Sequence, residues 1–424
     1  MKKVIIIVFA FCALALNNNV QAQFQGVDSQ GRLVITSAVP FLRVNPDGRS
    51  GAMGDVGMAL SPDANAVFSN TARMAFMETD YGVSITFVPW LRGIATDVYM
   101  ADLVGYYNIK RKQTISTSLR YFSLGQIQFT DVNGTNLNSV RPVELAFDIN
   151  YARQLTDRFG LAVGLRYINS NLGSTDLDRF VSQAAGADIS MFQTNPLKTK
   201  KLAGAKFNWG LAITNIGSKM SYSANALNKD FIPANLALGV GAEIQIDEYN
   251  KFGIYTDVNK LLIPTPISPT LEDGTSTNPN YDNDGNGIAD YKEKSSVGAL
   301  FSSFGDAPGG FKEEMAEFTI GVGAEYIYND LFMVRMGYFY ENPTKGARKF
   351  LSAGVGLKYS VAQLNFAYVI PTSAQRNPLD NTMRFTLLFD FDKGGKGGGT
   401  ALPQNQSLPS NFNLKAPASP ASSN

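Results

Sequence analysis

Residues 236–246 read LALGVGAEIQI, and this stretch indicates the fold class because its side chains alternate in character with a period of two. The even positions from Leu236 to Ile246 are apolar, whereas the odd positions are small or polar, as Glu243 is. Successive side chains of a β-strand point to opposite faces, so this strand has one apolar and one polar face. The same alternation recurs in residues 144–152, 317–328, 351–359 and 383–391. The chain is therefore predicted to be all-β.

Two architectures have this pattern, a soluble β-sandwich and a transmembrane β-barrel. Sandwich strands usually contain about 5–6 residues, whereas a tilted membrane strand needs about 9–11. The alternating segments here contain about 9–13 residues, and several apolar faces end in Tyr or Phe, as interfacial aromatic girdles do. We count 13 candidate strands between residues 83 and 391. Because bacterial barrels have an even number of strands, we expect a transmembrane β-barrel of about 14 antiparallel strands, with the unrecognised strand near residues 124–131.

The regions outside the barrel have distinct compositions. Residues 1–22 have a charged start and a short apolar stretch that ends in Val20-Gln21-Ala22, the features of a secretory signal peptide. Residues 23–80 lack sustained alternation and are predicted to lie partly in the lumen of the barrel as a plug-like segment. Residues 392–424 are rich in Gly, Pro, Ser and Asn, and they are predicted to be a disordered periplasmic tail.

The barrel itself is predicted to span residues 81–391, with long exterior loops at residues 170–201 and 259–315. An even number of strands places the two ends of the barrel sequence on the same side of the membrane. From this count we expect both termini to be periplasmic and the barrel to lie in the outer membrane of a Gram-negative cell.

The composition argues against most catalytic functions. The chain has 424 residues, no histidine and one cysteine, which lies within the predicted signal peptide. Catalysis by Ser-His-Asp or Cys-His groups is thereby excluded, and we expect the protein not to be an enzyme. Lysine and arginine total 37 against 36 for aspartate and glutamate, so no basic excess is available to bind nucleic acid.

A calcium-binding loop is predicted within the second long loop. Residues 282–293 read DNDGNGIADYKE, which matches the 12-residue calcium-loop pattern at every position. The predicted calcium ligands are Asp282, Asp284, Asn286, Ile288 through its carbonyl, Asp290 and Glu293. The helices that usually flank such a loop are missing from the pattern, and a solvated acidic turn is the alternative interpretation.

Two further features have a structural and a functional interpretation. Residues 51–57 contain glycines in a GxxGxxG spacing, but no strand–helix context of a nucleotide site surrounds them, so close packing of a segment inside the barrel is the better interpretation. Charged residues on lumen-facing positions could be paired catalytic carboxylates, but salt bridges and solvated walls are ordinary in barrels. These residues are Glu144, Asp148, Arg166, Glu243, Glu325, Lys358, Arg384 and Asp390.

The most distinctive sequence precedes the barrel. Residues 41–57 read FLRVNPDGRSGAMGDVG, followed by SPDANA at 61–66 and NTA at 70–72. Together they resemble the PorV (LptO) family, outer-membrane proteins of the type IX secretion system in Bacteroidota that are related in fold to the FadL barrels. The resemblance covers residues 34–391. Many FadL relatives have Asn-Pro-Ala where this chain has Asn70-Thr71-Ala72, which weakens the case for FadL-like transport.

The resemblance implies a shuttle or adaptor function in protein secretion. PorV-like proteins associate with the SprA (Sov) translocon, receive secreted cargo through its C-terminal domains and pass it to the sortase-like peptidase PorU for attachment to lipopolysaccharide; the adhesins of gliding motility are typical cargo. We expect cargo to contact the long exterior loops. The alternative is a FadL-like channel for hydrophobic small molecules, in which residues 24–80 would form a hatch.

Overall fold

The computed structural model describes residues 34–91, 95–130, 134–174, 179–199, 202–222, 229–270, 278–372 and 381–392. The predicted signal peptide, and all of the predicted tail except Asp392, lie outside the described residues. Within them, 14 antiparallel strands form a closed barrel. The predicted fold class and strand number are therefore confirmed.

The strands, numbered in chain order, are β1 (Tyr81–Pro89), β2 (Val98–Ile109), β3 (Gln113–Leu124), β4 (Ile127–Thr130), β5 (Asn136–Val140), β6 (Val143–Gln154), β7 (Phe159–Ser174), β8 (Arg179–Leu197), β9 (Gly204–Gly217), β10 (Asn235–Gln245), β11 (Asn250–Leu261), β12 (Phe318–Tyr328), β13 (Phe332–Tyr340), β14 (Lys349–Tyr359), β15 (Ala362–Pro371) and β16 (Met383–Phe391). All except β4 and β5 belong to the barrel, which closes where β1 pairs with β16.

The helices are short. The α-helices are α1 (Gly48–Gly51), α2 (Asp290–Glu293), α3 (Ser296–Ser302) and α4 (Phe311–Ala316), and the 3₁₀ turns are Pro40–Arg43, Ala64–Phe68, Thr71–Phe76 and Pro343–Lys345. No helix in the described part of the chain is both long and apolar enough to span a membrane.

The two ends of the barrel differ in their connections. Short turns such as residues 110–112 and 329–331 join strands at one end, which we call the turn end. Longer connections, the largest being residues 262–317, join strands at the opposite end, which we call the loop end. We call residues 262–317 the outer loop; it carries α2, α3 and α4.

The outer surface of the barrel is apolar. Along β1, the outward side chains of Tyr81, Val83, Ile85 and Phe87 are 38–50% exposed, while the intervening side chains are buried. The other barrel strands have the same alternation. Such a continuous exposed apolar band is rare on a soluble protein and is the face that a membrane barrel presents to lipid.

One predicted loop is wrong. Residues 170–201 were expected to form a long exterior loop, but most of them belong to the β7–β8 hairpin. Alternation is weak in this part of the sequence because the outward residues Gln183, Ala185 and Ala187 are no more apolar than the inward Ala184 and Gly186. The fourteenth barrel strand is therefore β8.

The strand predicted near residues 124–131 exists but does not belong to the barrel. It is β4, which pairs with β5 in a separate two-stranded sheet between β3 and β6. In the barrel, β3 pairs directly with β6, so the β4–β5 hairpin projects from the loop end.

The lumen is filled by residues 34–80, which we call the lumen segment. At the loop end, its Val39 and Phe41 pack in one apolar cluster with wall residues that include Phe122 and Phe350. At the turn end, its Met74 packs in a second cluster, whose wall members are Val104, Tyr106, Ala152, Ala162, Phe192 and Leu388. The polar inner faces of the strands are buried against this segment.

The lumen segment runs from the loop end to the turn end. The N–H of Ala38 donates to the carbonyl of Phe231, in the loop-end connection between β9 and β10, at 2.9 Å. The N–H of Asp80 donates to the carbonyl of Phe391, the last residue of β16, also at 2.9 Å. The first and last described parts of the chain therefore lie at opposite ends of the barrel.

Candidate functional site

Buried ion pairs hold the middle of the lumen segment to the barrel wall. Arg49 contacts Glu325 of β12 through two hydrogen bonds of 2.8 and 3.2 Å, and Glu325 also accepts from Arg335 of β13 at 2.6 Å. Glu325 and Arg335 face each other as register partners on neighbouring strands. Arg49 additionally pairs with Asp63 of the lumen segment at 2.9 Å. One wall carboxylate thus joins two arginines from different parts of the chain.

Further wall carboxylates bind the backbone of the lumen segment. Asp257 of β11 accepts from the N–H groups of Gly57 and Met58, at 2.6 and 2.9 Å. Arg384 of β16 pairs with Asp55. Because both elements contribute polar groups that have no other route to solvent, these contacts replace hydration inside the barrel.

The glycines of residues 51–57 allow close packing against the wall. Gly54 has a φ of +68°, which favours glycine, and its nitrogen donates to Ser352 Oγ at 2.8 Å. On the wall, a Cβ at Gly337 would overlap the backbone of Met53 and Gly54. The packing interpretation of this motif fits the structure, and these residues form no nucleotide-type loop before a long helix.

The lumen-facing charges pair within the wall or with the lumen segment, not across an open lumen. Asp148 and Arg166 lie opposite each other on β6 and β7, and Arg166 Nε is 2.5 Å from Asp148 Oδ1. Arg166 Nη2 also lies 3.0 Å from Asp188 Oδ2. Glu144 accepts from Ser170 at 2.8 Å. Glu243 accepts from Asn208 and Asp390 from Tyr106. Arg166 therefore forms salt bridges within the wall, whereas Glu144, Glu243 and Asp390 hydrogen-bond to neutral side chains.

The predicted calcium loop lies in the outer loop, at the loop end. Carboxylate oxygens of Asp282, Asp284 and Asp290 lie within 4.8 Å of one another. Asp282 accepts from the N–H groups of Gly287 and Gly285, both at 2.8 Å. The hydrogen bond from Gly287 is the main reason that the pKa of Asp282 lies below its ordinary value.

The remaining predicted ligands are arranged around the same turn. Asn286 donates from its amide to Asp284 at 2.9 Å and to Glu293 at 2.8 Å, and its amide oxygen accepts from the N–H of Ile288 at 2.8 Å. Calcium is coordinated by oxygen atoms. A bound ion would therefore displace the N–H groups of Asn286 that now donate to the carboxylates of Asp284 and Glu293. The structure thus brings the side chains of Asp282, Asp284, Asn286 and Asp290 together with Glu293, and the N–H of Ile288 is bonded within the same turn.

Sequence reasoning missed an apolar surface on the outer loop. Five large apolar side chains on and beside α3 and α4 are 49–80% exposed. They are Val297, Phe301, Phe304, Phe311 and Met315, and we call them the loop-end patch. The signal in the sequence is the helical spacing of residues 297, 301 and 304, which a search for alternation does not detect.

The fold and these sites define a class: a 14-stranded outer-membrane-type β-barrel whose lumen is filled by its own N-terminal segment. The family model described as "Type IX secretion system protein PorV" matches residues 27–268, more than half of the chain. The chain therefore belongs to the PorV family, as the sequence resemblance predicted. It is an outer-membrane component of the type IX secretion system.

Comparison with curated proteins finds no match. Among solved structures, the Ralstonia pickettii toluene transporter TbuX is 14% identical with a TM-score of 0.45, and the alignment covers 82% of this chain and 98% of TbuX. The P. putida toluene transporter TodX is 13% identical with a TM-score of 0.44, covering 81% and 98%. A Pseudomonas aeruginosa FadL homologue is 10% identical with a TM-score of 0.40, covering 85% and 100%. At these identities, none of the three bears on what this chain binds.

Proposed function

We propose that this protein is an adaptor of type IX secretion that binds protein partners through its outer loop and is neither a channel nor an enzyme. The observation that carries the proposal is the loop-end patch, which lies outside the lipid-facing strands and exposes five large apolar side chains. Large apolar side chains exposed beyond the lipid-facing strands support a protein-binding role for this loop. The partners we expect are the SprA (Sov) translocon, the peptidase PorU and the C-terminal domains of secreted cargo, including gliding adhesins, with lipopolysaccharide around the barrel.

The alternative function, a FadL-like channel for hydrophobic small molecules, needs an apolar passage. A cavity at the loop end has a volume of about 30 Å³, and its lining combines the charged residues Arg43, Glu317, Glu341 and Lys345 with the apolar Ile35 and Leu261. Cavities that accept benzene are about 150 Å³ and are lined by apolar side chains. The buried ion pairs between the lumen segment and the wall also favour a fixed filling over a movable hatch.

The direction of the lumen segment bears on the expected placement of the termini. The loop end is expected to face the cell exterior, because barrels keep their long loops there. The end of β16 lies at the turn end, so the C-terminal tail is expected in the periplasm. The prediction of a periplasmic N-terminus was based only on the even number of strands. Since Ala38 lies at the loop end, we propose that residues 34–38 lie towards the exterior side.

We propose that residues 282–293 bind calcium as a structural ion. The clustered oxygens of Asp282, Asp284 and Asp290 support the proposal, as does the exact spacing of the six ligands. Calorimetry on the purified barrel is expected to give calcium binding with a Kd of about 10⁻⁴–10⁻³ M. Asp284→Ala is expected to abolish the heat, whereas Asp306→Ala, which changes a carboxylate of the same loop outside the cluster, is expected to leave it unchanged. Equal heats from both variants would contradict the site.

The adaptor function can be tested by removing the outer loop. Replacing residues 268–311 with a short Gly/Ser linker is expected to leave a folded, heat-modifiable barrel but to prevent surface display of cargo. The matched control replaces residues 127–140, which include the β4–β5 hairpin of the loop end, and is expected to preserve display. Normal display of cargo by the 268–311 variant would contradict the proposed function.

A further inference from the structure

The lumen segment and the outer loop contact each other at the loop end of the barrel. Ile35 of the lumen segment is 6% exposed and packs in one apolar cluster with Ile263 and Ala299 of the outer loop. Phe231, from the connection between β9 and β10, belongs to the same cluster, and its carbonyl accepts from the N–H of Ala38. The first described residues of the lumen segment are therefore packed against the outer loop.

Buried ion pairs hold the outer loop to the barrel beside this cluster. Lys260, near the end of β11, contacts Glu314 at 3.1 Å and Glu317 at 2.5 Å. Lys345, in the connection between β13 and β14, contacts Glu313 at 2.5 Å and Glu317 at 3.1 Å. All five side chains are 9% exposed or less, so the loss of one partner leaves a buried charge unpaired. We call these five residues the loop anchor.

The connection that carries Lys345 also holds the lumen segment. Its Glu341 is 3% exposed and accepts two hydrogen bonds from the guanidinium of Arg348, at 2.7 and 2.8 Å. Arg43 of the lumen segment lies 3.5 Å from the same carboxylate. Residues 341–348 therefore contact the outer loop through Lys345 and the lumen segment through Glu341.

The connection itself has a fixed shape. The amide oxygen of Asn342 accepts from the N–H and the hydroxyl of Thr344, both at 3.0 Å, and this bonding caps the 3₁₀ turn Pro343–Lys345. Gly346 has a φ of +137°, which favours glycine, and a Cβ there would overlap the carboxylate of Glu341. Because rigid elements carry coupling between the groups at their ends, a shift of the loop anchor is expected to reach the lumen segment through this connection.

The three elements also border one small cavity. Its volume is about 30 Å³, and its lining includes Ile35 and Arg43 of the lumen segment, Glu317 of the outer loop, and Glu341 and Lys345 of the connection. A space of this size holds about one or two water molecules. The three elements therefore have little room to move independently of one another.

We propose that the outer loop is a strap, in which the loop anchor holds residues 34–44 of the lumen segment in the loop end of the barrel, and displacement of the loop releases them. The middle of the lumen segment stays in place, because Glu325 holds Arg49 and Asp257 holds the backbone after residue 56. The strap goes beyond the proposed adaptor function and does not require it, since the coupling lies within one chain. Coupling is reciprocal, so loosening residues 34–44 also loosens the outer loop.

Amide hydrogen exchange of the full-length protein in lipid nanodiscs, read by mass spectrometry, tests the strap. Lys345→Met leaves Glu313 without its lysine. Exchange is expected to become at least tenfold faster across residues 307–317 and at least fivefold faster across residues 34–44. Across residues 49–58 it is expected to stay within twofold of the wild type. Heat-modifiability on gels confirms that the barrel has folded.

A second variant removes the other lysine of the loop anchor. Lys260→Met leaves Glu314 without its lysine and is expected to give the same pattern as Lys345→Met, so the test remains decisive if one of the two variants fails to fold. The matched control is Lys294→Gln, because Lys294 pairs with Asp306 inside the outer loop and not with the barrel. The control is expected to keep exchange within twofold of the wild type in all three regions.

The reciprocal variant acts from the lumen segment. Ile35→Ala combined with Arg43→Met removes its apolar contact with the outer loop and its contact with Glu341. Exchange across residues 34–44 is expected to become at least fivefold faster. Exchange across residues 307–317 is expected to become at least threefold faster, although neither substitution lies in the outer loop.

Three results would overturn the inference. Faster exchange across residues 307–317 in the lysine variants, with unchanged exchange across residues 34–44, would show that the two regions are independent. Unchanged exchange in both regions would show that the loop anchor does not hold the loop. Equal acceleration across residues 49–58 would show a general loosening of the barrel filling instead of a strap at its loop end.

Discussion

The lumen segment and the outer loop are both long stretches without barrel strands, and buried ion pairs hold both of them to the barrel. They differ in their apolar side chains, which are buried in the lumen segment and partly exposed in the outer loop. Phe41 of the lumen segment is 1% exposed, whereas Phe311 of the outer loop is 80% exposed. The lumen segment buries its apolar side chains at both ends of the barrel, around a charged middle layer. The outer loop buries charges and exposes apolar residues.

This difference shows which part of the molecule is complete in itself. The lumen segment pairs Arg49, Asp55 and Arg73 with oppositely charged groups of the same chain and packs its apolar side chains within that chain as well. The outer loop is held to the barrel by ion pairs, but the side chains of the loop-end patch are exposed. Exposed apolar side chains are what a docking face requires. Three comparisons between matched residues, and a fourth test at the calcium loop, address this distinction.

The largest effect is expected for the ion pairs of the lumen. Glu325→Gln leaves Arg49 and Arg335 without the carboxylate they share, and removing one partner of a buried pair costs about 3–5 kcal/mol. The free energy of unfolding, from urea titration of the barrel in lipid, is expected to fall by this amount. Glu248→Gln, at an exposed site in a turn, is the control, and a similar loss in both variants would contradict the account.

Substitution of two phenylalanines, one buried and one exposed, is expected to change the free energy of unfolding by amounts that differ slightly less than those of the ion-pair variants. Phe41→Ala removes a buried ring from the loop-end cluster and is expected to lower the free energy of unfolding by about 3–4 kcal/mol, in the range of buried Phe→Ala changes. Phe311→Ala is expected to change it by less than about 0.5 kcal/mol, as surface substitutions do. If Phe311→Ala is equally destabilising, the patch is part of the core and not a docking face.

Glycines provide a third comparison. A Cβ at Gly337 would overlap the backbone of the lumen segment, whereas one at Gly305 in the outer loop would meet no atom within 4 Å. Gly337→Ala is expected to cost about 1–3 kcal/mol through overpacking, and Gly305→Ala is expected to be neutral or slightly stabilising. Equal unfolding free energies for the two variants would show that the lumen segment is loosely held.

The smallest effect on stability is expected at the calcium loop. Its side chains are largely exposed, so Asp284→Ala is expected to leave the unfolding of the barrel unchanged within about 0.5 kcal/mol. Limited proteolysis of the outer loop should be slower with calcium than with chelator in the wild type only. Protection by calcium that persists in Asp284→Ala would locate the ion elsewhere.

The barrel could be predicted from sequence because lipid imposes a simple rule on the outward residues. Most strands alternate apolar and polar residues, and the predicted strand number was right. The rule failed at β8, where outward alanines and Gln183 give no contrast with the inward residues. It also assigned the hairpin strand β4 to the barrel, since strand character alone does not say which neighbour a strand pairs with.

The filling of the lumen and the docking face were harder to predict. The partners Arg49 and Glu325 are far apart in sequence, and nothing local in either neighbourhood indicates that they meet. The buried ion pairs of Lys260 and Lys345 with glutamates of the outer loop were missed for the same reason. The proposed calcium loop could be recognised as a pattern because all six candidate ligands lie within twelve consecutive residues.

The most direct test of the central claim is affinity purification of the tagged protein from native outer membranes, with mass spectrometry of everything that co-purifies. The account predicts that the translocon barrel of the type IX system is recovered in amounts comparable to the bait and that the lumen contains no bound small molecule. Recovery of the barrel alone, with a hydrophobic compound bound in its lumen, would contradict the account and favour a channel.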